Sequence, residues 1–152
     1  MPVKIKGIKA TTLKLKKIPI DARTYAAREI KRTIVDIIVE KIVSGISPVK
    51  GKGRFKAYSD GYSKKKGRKQ PVDLVYSGDT LNSMVARQTS KGSIIVEFKG
   101  ALAKKIAGIH QYGQGKGMPK RRILPISGER FQIGIMKKIV SIVNKAVKKA
   151  IK

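Results

Sequence analysis

The sequence predicts an α+β domain in which a small antiparallel sheet packs against a long N-terminal helix and a long C-terminal helix, with an extended basic loop. Residues 22–43 and 128–151 carry apolar side chains at helical spacing, and residues 84–99 alternate in hydrophobicity on both sides of a turn. The predicted order of strand, helix, loop, hairpin, helix, strand and helix differs from the regular β-α-β alternation of a parallel sheet. Because the chain has 152 residues, we expect one domain, 1–152, with the extended loop at about 46–72.

The first 20 residues alternate between apolar and basic side chains. This period of two predicts a half-buried strand over 3–8, whereas 13–18 fits either a second strand or a short helix. The first long helix follows Asp21, whose carboxylate can accept hydrogen bonds from amides of the first turn. It ends at Gly45, which readily adopts the left-handed conformation of a helix C-terminus. The residues expected on its core face are Ala26, Ala27, Ile30, Ile34, Ile37, Ile38 and Ile42.

The predicted loop over 46–72 is rich in Gly and Pro and strongly basic. Between Lys50 and Lys69 it has nine basic residues and one acidic residue. Aromatic side chains are interleaved with these cations, which is typical of a segment that binds a surface. We therefore predict a subunit or partner interface, although the lysine run also fits a solvated tip or a segment that binds nucleic acid. The predicted interface residues are Phe55, Tyr58, Tyr62, Lys64, Lys65, Lys66 and Arg68.

The second half of the chain predicts shorter elements. Ser77 or Asp79 would cap a short helical turn, and a hairpin follows with arms at 84–89 and 93–99. Residues 101–109 predict a short helix, which ends near Tyr112 and Gly113. A Gly-rich basic loop leads to an extended segment at 122–126, which Pro125 would confine to a sheet edge or a strand end.

The last predicted helix has Ser127 as its N-cap and Glu129 near its positively polarised end. Its apolar side chains cover one half of the helix surface, and its lysines cluster on the other side. This pattern fits a core face with a solvated face, a helix lying on a membrane, or an apolar face shared with a neighbouring subunit. The clustered lysines are Lys137, Lys138, Lys145, Lys148, Lys149 and Lys152.

The charge balance indicates an anionic partner. The chain has 36 Lys and Arg against 9 Asp and Glu, a formal net charge of +27. Nucleic acid, an acidic protein or a membrane surface would offset this charge, and a merely solvated surface is the simplest alternative. The absence of Cys excludes disulfides and thiolate metal sites.

The residue inventory disfavours an enzyme. His110 is the only histidine, and the chain carries no recognised catalytic motif and no phosphate-binding Gly-Lys-Ser/Thr loop. We therefore expect no catalytic residue, metal or cofactor. His110 fits a hydrogen-bonded structural histidine better than a metal ligand, and Ser77, Gly78 and Asp79 fit a turn with a helix cap better than an active site.

Three stretches resemble one protein family. They read Gly-Ile-Ser-Pro-Val-Lys-Gly-Lys-Gly-Arg-Phe-Lys at 45–56, Pro-Val-Asp-Leu-Val-Tyr-Ser-Gly-Asp-Thr-Leu-Asn-Ser-Met at 71–84, and Ile-His-Gln-Tyr-Gly at 109–113 followed by Pro-Lys-Arg-Arg-Ile-Leu-Pro-Ile-Ser at 119–127. In this order they look like the virion-morphogenesis and tail-completion proteins of tailed bacteriophages, which include head–tail joining and tail-terminator proteins. The resemblance covers about 22–150. The chain departs from the family where Pro-Ala-Arg-Pro-Phe-Leu is common, since it has Pro-Lys-Arg-Arg-Ile-Leu there.

The resemblance implies a structural protein that forms a ring, a hexamer, at the phage neck or tail end. Such a ring would complete the tail and join it to the head connector, with genomic DNA passing through its lumen. Its partners would be the tail tube and the connector or stopper proteins, with no membrane, and it would move from the host cytoplasm into the virion. The alternative is a nucleic-acid-binding module, ribosomal or nucleoid-like, which charge alone supports. The motif residues with expected structural roles are Ser77, Gly78, Asp79, Leu81, His110, Tyr112, Gly113 and Pro125.

Overall fold

The computed structural model of the chain describes residues 20–67, 71–74, 78–89, 94–114 and 117–150. The strands predicted over 3–8 and 13–18 lie outside these residues. The described part is α+β and has one hydrophobic core, to which its longer elements all contribute. Its elements are α1 (Ile20–Val43), α2 (Asp60–Lys66), α3 (Asp79–Asn82), β1 (Met84–Gln88), β2 (Ile94–Phe98), α4 (Ala101–Tyr112) and α5 (Ile133–Ala150).

Helix α1 runs through the middle of the fold and packs against α5 and the hairpin. Six of its seven predicted core residues are buried, and Ile37 is half-buried at the margin of the core. The helix ends as predicted, because Gly45 takes a φ of +77° and its amide donates to the Ile42 carbonyl. The Ile46 amide then donates to the Lys41 carbonyl, which completes a Schellman motif.

The sheet is an antiparallel pair of strands whose inner face rests on α1. Met84 lies opposite Phe98, and Gln88 lies opposite Ile94. The residues predicted to form the turn lie outside the described ranges. The alternation of β2 is clear, since Ile94, Val96 and Phe98 are buried and the residues between them are not. The predicted hairpin is therefore confirmed, with arms slightly shorter than expected.

Helix α5 begins five residues later than predicted, and Ser127 is not its N-cap. Gly128 has a φ of +89°, and the Glu129 carboxylate accepts a hydrogen bond from the Ile126 amide at 3.1 Å, so these residues form a separate turn. Phe131 then pairs with Val49 in an isolated antiparallel bridge, which requires extended backbone. From Ile133 onward the helix packs on α1 through Ile135, Ile139, Val143 and Ala146.

The segment predicted as an extended loop over 46–72 is partly folded onto the core. It contains α2, which Ser59 caps through its side chain and which ends at Gly67 with a φ of +75°. An isolated antiparallel bridge between Ile46 and Arg54 closes residues 46–54 into a loop. Phe55 and Tyr58 are 5% and 7% exposed, so this segment supplies core residues.

The shorter elements agree with the predictions only in part. Gly78 immediately precedes α3 in a left-handed conformation, and Asp79 is the first residue of the helix and not its cap. Ser77 lies outside the described residues. Helix α4 ends at Tyr112 with Gly113 as its C-cap, as predicted. Pro125 is buried in an irregular segment, so the predicted edge strand at 122–126 does not form.

Candidate functional site

The two parts of the third family-like stretch lie against each other at the end of α4. The buried Gln111 side chain donates to the Leu124 carbonyl at 2.6 Å and accepts from the amides of Ile123 and Leu124 at 2.8 and 3.1 Å. The Arg121 amide donates to the His110 carbonyl at 2.7 Å. The Gln111 side chain therefore satisfies main-chain groups of residues 123 and 124 that a neighbouring strand would otherwise satisfy. Sequence reasoning missed this role.

Gly113 allows the chain to turn sharply between α4 and this segment. Its φ is +65°, and a Cβ at this position would lie 2.8 Å from Lys120 Cγ and 3.0 Å from the Met118 carbonyl oxygen. Both the left-handed backbone and the close approach require glycine here. The neighbouring motif residue Tyr112 is partly exposed, and the Arg122 guanidinium lies 5.7 Å from its ring centre.

Phe55, Tyr58 and Tyr62, predicted as anchors for a partner, lie within this chain's own core or against it. Tyr58 Oη donates to Asp73 Oδ1 at 2.9 Å and accepts from the Leu74 amide at 3.1 Å. Burial and the hydrogen bond to Asp73 raise the pKa of Tyr58 to about 12. The Tyr62 ring packs 4.8 Å from that of Tyr58 and is half-buried.

The basic residues predicted for this interface are in different environments. Lys66 is half-buried and its Nζ lies 3.1 Å from Asp73 Oδ1, so it belongs to the same internal network. Lys64 and Lys65 are exposed on α2 and remain accessible to a partner. Arg68 lies outside the described residues.

Arg121 is a nearly buried cation at the centre of this region, with 3% exposure. Its side chain donates to the carbonyls of Lys56 and Ala57 at 3.2 to 3.4 Å, and its guanidinium lies 5.5 Å from the Tyr58 ring centre. Burial lowers the pKa of this guanidinium, yet arginine stays protonated at physiological pH. Sequence reasoning missed Arg121, since burial of a charged residue leaves no local signal.

A cavity of about 610 Å³ opens between α2, α4 and residues 117–121. Its lining includes His110, Arg121 and the rings of Tyr58 and Tyr62, together with apolar side chains and Gly78. Contrary to the sequence expectation, His110 Nδ1 is buried and has no hydrogen-bond partner within the part of the chain that the structure describes. Burial and the nearby Arg121 charge lower the pKa of His110 to about 4, so the imidazole is neutral at pH 7.

Helix α5 presents a second candidate surface. Ile133 and Val140 are 59% and 45% exposed, and they line a groove of about 920 Å³ together with Met136. Val140 belongs to the apolar half of the predicted helix, yet it is exposed. Cationic side chains surround this apolar floor, namely Lys50, Arg130, Lys137, Lys145 and Lys148. The arrangement suits a binding partner with both apolar and acidic groups.

Among the described residues, no group of three acidic or histidine side chains is placed to hold a metal ion. No described helix is both long and apolar enough to cross a membrane. Comparison of the chain with protein-family models, curated proteins and solved structures gives no match.

Proposed function

We propose that this chain is a structural virion protein that forms a ring at the neck or tail end of a tailed bacteriophage. In this role it completes the tail and joins it to the head connector. The observation that carries the proposal is the α5 groove, where exposed Ile133 and Val140 lie among lysines on a helix whose other face is packed into the core. Clustered apolar exposure with a polar rim is typical of protein–protein interfaces.

The rest of the fold supports an assembly role. Helices α1 and α5 pack along each other and give the groove a rigid base. The similarity of residues 45–56, 71–84 and 109–127 to tail-completion proteins supplies the choice of assembly. A ring would use one surface of each subunit against a different surface of the next, which is a heterologous contact that closes by rotation.

Electron microscopy and light scattering of the purified full chain, alone and mixed with tail tubes, test this proposal. We expect closed rings or rings seated on tube ends. The double variant Ile133→Asp/Val140→Asp should abolish these particles and keep the circular dichroism of the wild type. The matched control Lys138→Gln removes a lysine outside the groove, whose Nζ lies 3.5 Å from Glu40. Rings formed equally by the double variant would contradict the role of the groove.

Nucleic-acid binding is the second candidate function, favoured by a basic hollow of about 380 Å³. Glu129 lies 3.4 Å from both Lys52 and Arg122 and pairs with them. The cations that remain available at the rim are Arg54, Lys56 and Lys120.

This candidate is tested by DNA binding at several salt concentrations. If each of the three cations contacts a phosphate, changing all three to Gln should reduce the slope of log K against log salt by roughly 2.7, at about 0.9 per contact. An unchanged slope would exclude the hollow as a phosphate-binding surface.

A further inference from the structure

We propose that the cavity between α2, α4 and residues 117–121 binds a small organic carboxylate, with Arg121 as the group that pairs with its charge. This site is separate from the α5 groove and does not depend on the proposed virion role.

The first argument is the charge balance around Arg121. All nine acidic residues of the chain lie within the described ranges, and the ion pairs among the described residues leave Arg121 without a carboxylate. Its hydrogen bonds to main-chain carbonyls use Nε and Nη2, and Nη1 donates none among the described residues. A buried cation without an anion is costly, so an anionic ligand beside Arg121 would stabilise the fold.

The second argument is that Arg121 borders an accessible space of suitable size. The cavity of about 610 Å³ falls within the range of small-molecule sites, which is roughly 300–1,000 Å³. The neutral imidazole of His110 also lines this space and adds no charge of its own. Its Nδ1 is buried and has no hydrogen-bond partner among the described residues.

The chemistry of the walls indicates the class of anion. Apart from its polar groups, the cavity is lined by the Tyr62 ring and by Leu74, Ile106, Met118 and Pro119. Such walls favour an apolar or aromatic ligand body over inorganic phosphate, whose oxygens would lose water on every side. A guanidinium matches the planar geometry of a carboxylate. An aromatic carboxylate therefore fits the cavity better than phosphate does.

The experiment is a titration of the full chain at 150 mM NaCl, followed by NMR. Because His110 is the only histidine, its imidazole proton signal reports binding inside the cavity and excludes diffuse binding elsewhere on the basic surface. The probes are benzoate, its neutral analogue benzamide, and inorganic phosphate. We expect a saturable shift with benzoate and affinities at least about tenfold weaker for the other two probes. Benzamide lacks the charged hydrogen bond to Arg121, and phosphate does not match the apolar walls.

Variants separate this site from general anion binding. Arg121→Met should weaken benzoate binding by about tenfold or more, and Lys138→Gln, which removes a surface charge outside both the cavity and the α5 groove, should leave it unchanged. Ile106→Trp should fill the cavity and abolish the saturable shift with Arg121 intact. The Ile106→Trp variant therefore tests the cavity as the binding site even if Arg121→Met fails to fold. Equal affinity for benzoate and benzamide, no saturable shift in the wild type, or wild-type affinity in Ile106→Trp would overturn the proposal.

Discussion

His110 makes the stability of the fold depend on pH. Its pKa is about 4 in the folded protein and 6.5 in the unfolded chain. Between these values the unfolded chain binds a proton that the folded chain does not, so stability is highest above pH 6.5 and falls as the pH falls. We expect a loss of roughly 2 kcal/mol between pH 7 and pH 5, measured by urea unfolding.

His110→Gln is the control for this prediction. Glutamine does not titrate, so the variant should show little of the loss between pH 7 and pH 5, a range in which the carboxylates remain largely ionised. A loss of the same size in both proteins would assign the pH dependence to other groups.

Tyr58 supports the buried carboxylate of Asp73. Tyr58→Phe removes the donor at 2.9 Å from Asp73 Oδ1 and leaves the Leu74 amide without its acceptor. We expect the free energy of unfolding to decrease by about 1–3 kcal/mol, since one bond to a charged group and one to an amide are lost. Tyr112→Phe, on a partly exposed ring, should change it by less than about 0.5 kcal/mol. Equal effects of the two variants would show that the network adds no stability.

At the scale of elements, hydrophobic periodicity predicted α1, α4 and the hairpin, because the spacing of apolar residues within each segment already reveals which face is buried. The start of α5 could not be predicted in this way. The predicted helix includes residues 128–132, but the bridge from Phe131 to Val49 and the bond from the Gln132 side chain to the Ser47 carbonyl at 2.6 Å keep them out of it. Both contacts join residues more than 80 positions apart in the chain.

The candidate cavity was only partly visible in the sequence, for a related reason. His110 and Gly113 stood out as motif residues, and the structure places His110 in the cavity wall and Gly113 in the turn beside it. The aromatic residues near 58 suggested a surface, because their basic neighbours are typical of exposed segments. Their burial depends on Asp73 and Arg121, which are 15 and 63 residues from Tyr58, and no local pattern encodes such contacts.

The pairing of α1 with α5 is the main source of core burial. Ile38 and Ile34 are completely buried, as predicted for the core face of α1, and they share the core with Ile139 and Val143 of α5. We expect Ile38→Ala to reduce the free energy of unfolding by about 2–5 kcal/mol, through lost transfer energy and the cavity left behind. Ile133→Ala, at a position 59% exposed on α5, is the matched control, with an expected change below about 0.5 kcal/mol. Similar effects of the two changes in urea unfolding would contradict this packing.

The turn at Gly113 allows a test of close packing apart from backbone strain. Gly113→Ala adds a methyl group into contacts of 2.8 to 3.0 Å, whereas Gly51→Ala meets nothing within 4 Å, and both residues have positive φ. Strain should cost each variant about 1 kcal/mol, and Gly113→Ala should lose at least another 1 kcal/mol or so by overpacking. Thermal unfolding of both variants measures the difference, and equal losses would mean that residues 118–120 move aside freely.

For the whole molecule, the distribution of charge is the dominant property. Most of the nine acidic side chains are already engaged within the chain, as with Glu129 between Lys52 and Arg122 and Asp73 beside Lys66. The cations of the α5 groove have no carboxylate partner among the described residues, since its one acid, Glu129, is paired elsewhere. Two copies of the groove would repel each other because both are cationic. A contact at the groove therefore requires an acidic surface, either from a different face of this protein or from a different protein.

In the proposed neck ring, we expect the groove lysines to pair with acidic neighbouring subunits and not to line the DNA path. DNA must slide through a neck during ejection, and several phosphate-binding lysines on one helix face would hold it too firmly. Changing Lys137, Lys145 and Lys148 to Gln should stop heads and tails from joining and leave DNA retention in full heads unchanged. Lys104→Gln/Lys105→Gln, at exposed positions of α4, is the control and should allow joining. Loss of packaged DNA from the groove variant, or most of these lysines within roughly 8 Å of the DNA in a particle reconstruction, would instead place them on the lumen.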